Sequence, residues 1–140
     1  MIKQLVADLV ERHGTNNPYS LAECLGIHIE YEPLGKKGAY FSNIYGVPII
    51  HINSDISDDL ALFACAHELG HALLHKDLNF SWLSLHTYHN GNKTEREANQ
   101  FAVELLMPDD LIASYQDTSI YAIAAICGVP DTLVSLKKFA

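Results

Sequence analysis

His67, Glu68 and His71 are the residues of this sequence whose types and spacing can do chemistry together. They spell H-E-x-x-H. Two imidazoles four residues apart share one face of a helix and can grip a single zinc ion. The carboxylate beside the first of them can take a proton from an attacking water. So short a pattern carries weight only where its segment is helical, well covered, and followed by a third protein ligand.

Four kinds of candidate exist for that third ligand. His75 continues the four-residue series, but eight residues climb a helix by roughly 12 Å, too far from His67 for one ion with bonds near ~2 Å. That leaves His75 a structural or outer role. Asp77 stands where the longer pattern H-E-x-x-H-x-x-G-x-x-H ends, yet Leu74 occupies the place of its glycine. His86 and His89 belong to a stretch without periodicity, where histidines are more often exposed. Glu95 is preferred. It lies four residues before Asn99 on a helical segment, so the two side chains face the same way and the amide can orient a ligand; Glu97 falls elsewhere on that helix. The competing reading of Glu95 is an acidic residue in a first helical turn, favoured by the helix dipole.

The elements that must position these groups follow from pattern. DDLALFACAHELGHALLHK sets Leu60, Phe63, Ala64, His67, His71 and Leu74 at spacings of three and four, which predicts a helix capped by Ser57 or Asp58. Its flanks are almost all apolar or small, so several sides should be covered. Ile2 to His13 reads as a helix stopped by Gly14, and Asn17-Pro18 opens a short second helix ending before Gly26. IHIEYEPLG, KKGAYFSNIYG and VPIIHINSD read as three β-strands forming a small antiparallel sheet beside the H-E-x-x-H helix. Val47 to Ile52 is the surest of them, with Pro48 implying a start at or near an edge. Asp77 to Lys93 reads as a long active-site loop carrying Phe80, Trp82, Leu83 and Leu85. TEREANQFAVELLM is helical again, capped by Thr94 and ended by Pro108, which starts a further short helix. The tail from Ser119 reads as two short helices broken at Gly128, Val129 and Pro130. The expected fold class is α+β, mostly helical.

A chain of 140 residues fits one domain, spanning 1–140, with a core that needs no disulfide staples. Its net charge of −8 and pI near 5.3 oppose binding to nucleic acid or to an anionic membrane. The three cysteines, Cys24, Cys65 and Cys127, form no C-x-x-C pair, so neither a disulfide framework nor a thiolate metal site is indicated. With no signal-peptide pattern and no membrane-length apolar run, the expected location is the cytoplasm.

HELGHALLH, followed after an intervening stretch by EREANQFAVELLMP, resembles the ImmA/IrrE family of zinc metallopeptidases. The N-terminal helices, YSLAECLGI and the IIHINS strand fit that family's layout as well, so the resemblance covers nearly the whole chain. It implies His67, His71 and Glu95 as zinc ligands and Glu68 as the catalytic carboxylate. It further implies an intracellular protein. Several members are encoded on phages or mobile elements beside a helix-turn-helix repressor that they cleave. Some members carry an added DNA-binding or sensor domain, for which this length leaves no room.

Three functions compete. The first is a zinc endopeptidase acting on such a repressor, with Tyr88, His86 or His89 available to stabilise the developing oxyanion. The second is a non-catalytic module in which zinc staples helices together and a cleft binds a regulator. Glu68 opposes it, because a structural site needs no base between its histidines. The third is a DNA-binding protein using the tail, which the acidity of the chain and the sparse basic pair Lys137 and Lys138 oppose.

Overall fold

The computed structural model describes residues 1–75 and 93–139. The expected loop from Asp77 to Lys93, with Asp77, His86, Tyr88 and His89, lies outside the described residues, apart from Lys93 at its end. Two helices open the chain. Helix α1 (Ile2–His13) buries Val6 and Leu9 and ends at Gly14, whose left-handed φ of 70° lets its N–H reach Val10 O. Helix α2 (Pro18–Cys24) is capped by Asn17, whose side-chain oxygen accepts from Tyr19 N and Ser20 N, with Pro18 in the first helical position.

Strands β1 (His28–Glu32), β2 (Ala39–Ile44) and β3 (Val47–Asn53) form one sheet in the order β1-β3-β2. The expected three strands are present, but the sheet is mixed rather than antiparallel: β2 pairs with β3 as a hairpin, while β1 runs parallel to β3. Residues 33–38 carry the chain past the end of β3 instead of folding it back as a hairpin, and Asn53 holds them there. Its buried amide donates to Gly35 O at 3.1 Å and Lys37 O at 2.7 Å, and its backbone N–H donates to Gly38 O. The hairpin turns at Tyr45 and Gly46, both with positive φ, a two-residue turn whose twist matches the strands. Pro48 therefore sits in the central strand, not at an edge. It is tolerated because pairing with β1 begins one residue later, at Ile49.

Ile50, Ile52, Ala39 and Phe41 form the inner face of the sheet and join the core, which also takes in α3 (Asp58–Leu74). Ser57 caps α3 by accepting from Leu60 N. Ala61, Cys65, Ala66 and Leu69 point this helix into the core, while Leu60, Phe63, Ala64 and His67 line a cavity, so both faces are apolar for different reasons. Helix α4 (Lys93–Leu106) packs on α3, with Phe101 against Gly70, and buries Ala98, Ala102 and Leu105 as well. It begins one residue before Thr94, which therefore lies in the first turn and not at the cap.

Gly70, inside the H-E-x-x-H motif, is a point of close approach between these helices. A Cβ there would lie 3.0 Å from Phe101 Cβ and 3.1 Å from its ring. The Phe101 Cβ is fixed to backbone, so it cannot swing away. Gly70→Ala should gain about 0.5–1 kcal/mol of helix propensity and lose about 1–3 kcal/mol to overpacking. The expected outcome is a thermal midpoint lower by a few degrees. A midpoint at or above that of the unaltered protein would show that α4 moves aside freely.

Helix α5 (Asp109–Ser114) has Pro108 just outside its first residue, and α6 (Ile120–Cys127) stops at Gly128. The second of the two expected tail helices is a 3-10 segment, Asp131–Leu136. Beyond it Lys137 is buried, 2.7 Å from Glu104 Oε1, and Lys138 N donates to Glu104 Oε2. One of the two basic residues of the tail is thus spent inside the fold rather than offered to a phosphate. No helix among the described residues is long and apolar enough to cross a membrane.

Candidate metal centre

Helix α3 presents His67 and His71 on successive turns with His75 at its C-cap, and α4 meets them with Asn99, Glu95 and Glu97. Glu95 is the hub. Its Oε2 lies 2.8 Å from His67 Nε2 and its Oε1 lies 3.0 Å from His71 Nε2. One ligand atom from each of His67, His71 and Glu95 falls within 4.8 Å of the others. Ligands about 2.1 Å from a tetrahedral zinc stand about 3.4 Å apart, so small side-chain adjustments would seat one ion among them. Two imidazoles and a carboxylate are also a donor set that zinc accepts. The preferred triplet is therefore brought together, and His75 lies beyond it, next to His71.

Asn99 acts as its spacing implied: His67 Nδ1 donates to Asn99 Oδ1 at 2.7 Å, fixing the ring so that Nε2 faces Glu95. Glu97 falls elsewhere on the helix, as expected, yet it meets the outer histidine of the group. Its Oε1 is 3.0 Å from His75 Nε2, and His75 Nδ1 is 3.1 Å from His71 Nδ1. Sequence spacing alone hid this, since Glu97 sits two residues from Glu95 and reaches the group only through a third histidine.

The electrostatics are those of a site organised around positive charge. Burial alone would raise the Glu95 pKa, but hydrogen bonds with His67 and His71 and their charge bring it down to about 2. Burial pushes His67 down, yet Glu95 and Glu68 outweigh this and leave its pKa raised. Glu68 behaves differently. Burial raises its pKa, which His67 and His71 offset only in part and to which Glu95 adds. Its Oε2 lies 3.9 Å from His67 Nε2, and its buried Oε1 has no hydrogen-bond partner among the described residues. A buried acceptor left without a partner is costly, and such atoms mark strained or functional positions. Cys65 is no competitor for metal, because burial pushes its thiol up to about 12, with Glu68 adding to the rise.

Glu68, His67, Glu95 and Asn99 lie on one wall of a cavity of about 340 Å³. Ile56, Leu60, Phe63 and Ala64 form its apolar side, and Gly35 to Ala39, the segment that Asn53 pins, closes another side. Sequence reading missed Asn53 and this segment. The available signal was a polar residue ending an apolar strand just before the helix cap.

Residues 22–134 match the IrrE N-terminal-like domain family, Peptidase_M78. The chain is 38% identical to uncharacterized immunity region protein 2 of Bacillus phage phi105, over 100% of this chain and 90% of that protein. It is 32% identical to metallopeptidase ImmA of Bacillus subtilis (strain 168), over 97% of this chain and 83% of that protein. With the family match spanning most of the chain, and the histidines and glutamate of a metal site gathered on α3 and α4, this chain belongs to the Peptidase_M78, IrrE N-terminal-like, family of metallopeptidases.

Proposed function

We propose that the chain is a zinc-dependent endopeptidase, of the H-E-x-x-H type with a glutamate third ligand, that cuts a peptide bond in a cytoplasmic helix-turn-helix repressor. The observation that carries this reading is Glu68 Oε1, a buried carboxylate oxygen without a partner among the described residues, beside His67 and on the wall of the cavity. A site that only stapled helices would leave this carboxylate as pure cost, whereas a base needs a bare oxygen facing its substrate.

His67 Nε2, His71 Nε2 and Glu95 would hold the zinc. Bound there, zinc supplies a Lewis acid that polarises water and the scissile carbonyl. Glu68 takes the proton of the attacking water and passes it to the leaving amine as the bond breaks. Asn99 keeps His67 in register, and the apolar wall of Ile56, Leu60 and Phe63 limits water around the reacting atoms. The repressor as substrate is supported by the resemblance and by the immunity-region name that one relative bears.

Zinc-loaded protein incubated with a helix-turn-helix repressor, taken from beside its gene where one is encoded there, should yield two fragments from a single cut, and a chelator should stop the reaction. A folded repressor still intact after prolonged incubation, yet bound, would replace the endopeptidase with a zinc-stapled binding module.

A further inference from the structure

We infer that His75 and Glu97 are positioning residues that fix a ring proton of His71 on Nδ1, and so leave its Nε2 as the nitrogen that a metal takes. The inference rests on the metal-site reading above. His71 is wholly buried, and its two ring nitrogens have different neighbours: Nε2 lies 3.0 Å from Glu95 Oε1, and Nδ1 lies 3.1 Å from His75 Nδ1. Two imidazole nitrogens facing each other at that distance share one proton, so one donates and the other accepts. Which of them donates decides whether His71 can be a ligand. If His75 donates, His71 Nδ1 is the acceptor, and a neutral His71 must carry its proton on Nε2, where a metal would have to bind.

Glu97 settles the direction. A carboxylate only accepts, so the 3.0 Å contact between Glu97 Oε1 and His75 Nε2 places the His75 proton on Nε2. A neutral His75 then has a bare Nδ1, which accepts from His71 Nδ1–H. His71 Nε2, which without a metal shares a proton with the Glu95 carboxylate 3.0 Å away, is then the nitrogen whose lone pair a metal takes in place of that proton. His67 reaches the same state by a shorter route, with the Asn99 carbonyl oxygen accepting directly from its Nδ1–H. The two ligand histidines of α3 are thus held by two devices. One is an amide, and the other is a histidine whose own proton is directed by a carboxylate from α4.

Zinc affinity measured at pH 8 by competition with a chromophoric chelator tests this, because affinity reads the ligand and not turnover. Glu97 is partly exposed, so Glu97→Gln should fold. Its amide can either donate or accept, which removes the direction, and zinc affinity should fall about 10- to 100-fold. The loss of one negative charge also weakens cation binding, and a double-mutant cycle separates the two causes. In a His75→Leu background, Glu97→Gln should cost much less than in the unaltered protein. Long-range ¹H–¹⁵N spectra of the zinc form should place the His75 proton on Nε2, and in Glu97→Gln should show the other tautomer as well. Equal costs of Glu97→Gln in both backgrounds, or a His75 proton on Nδ1 in the unaltered protein, would overturn the inference. An unaltered protein that binds no zinc would instead remove the metal-site reading on which it rests.

Discussion

Glu68→Gln is expected to slow peptide cleavage by roughly 10²–10⁴-fold while the protein keeps its zinc and its fold. The substitution preserves shape and leaves both histidines and Glu95 in place, and what it removes is the group that accepts a proton. The fold should not suffer either. The Glu68 pKa is raised on folding, so its deprotonated form weakens the metal-free fold above the ordinary carboxylate range, and a neutral amide relieves that cost. Partner binding should survive, and the variant could hold the repressor as a stable complex. Fragment yield by mass spectrometry, alongside zinc content and thermal midpoint, gives the answer. Cleavage at the unaltered rate would remove Glu68 from the chemistry. Loss of zinc together with activity would instead make Glu68 a contributor to metal binding, through its charge 3.9 Å from His67 Nε2.

Such a test can be designed because much of the site is legible in one dimension. Residues four apart on a helix lie on one face, so spacing alone groups His67 with His71, and Glu95 with Asn99. What one dimension does not carry is how two helices are set against each other. Glu97 looked misplaced because its partner, His75, belongs to another element and is reached only when α4 lies along α3. The strands show the same limit. Each was recognisable from β-branched and aromatic runs between turn residues, yet nothing local says that β1 pairs in parallel with β3, since consecutive strands with short links usually pair in series. The decisive residue was Asn53, which carries residues 33–38 across the sheet end and thereby builds a wall of the cavity. Helix α3 illustrates a third case. Its apolar period identified the side that faces the cavity, while the core side, Ala61, Cys65 and Leu69, was masked by the small residues covering the rest of the helix.

The identity of the third ligand is the remaining choice that sequence left open, and zinc-linked stability decides it. A ligand that binds only the folded chain stabilises it by about 2.7 kcal/mol when present at about 100 times its dissociation constant. For a chain of this size that corresponds to a rise in thermal midpoint of roughly 10 °C. Glu95→Ala should abolish most of this rise, because Glu95 is the group on α4 that meets both His67 Nε2 and His71 Nε2. Zinc affinity should fall by more than the about 10- to 100-fold expected from losing an outer partner. The metal-free variant should also be less stable than the metal-free parent. There the Glu95 carboxylate, with its pKa lowered to about 2, contributes stability at neutral pH that is lost only as pH falls below the ordinary carboxylate range. His67→Ala and His71→Ala should lose the zinc-dependent rise in the same way. If Glu95→Ala kept the full rise while both histidine variants lost it, the third ligand would lie among Asp77, His86 and His89, and Glu95 would be left as the residue that pairs the two histidines when no metal is bound.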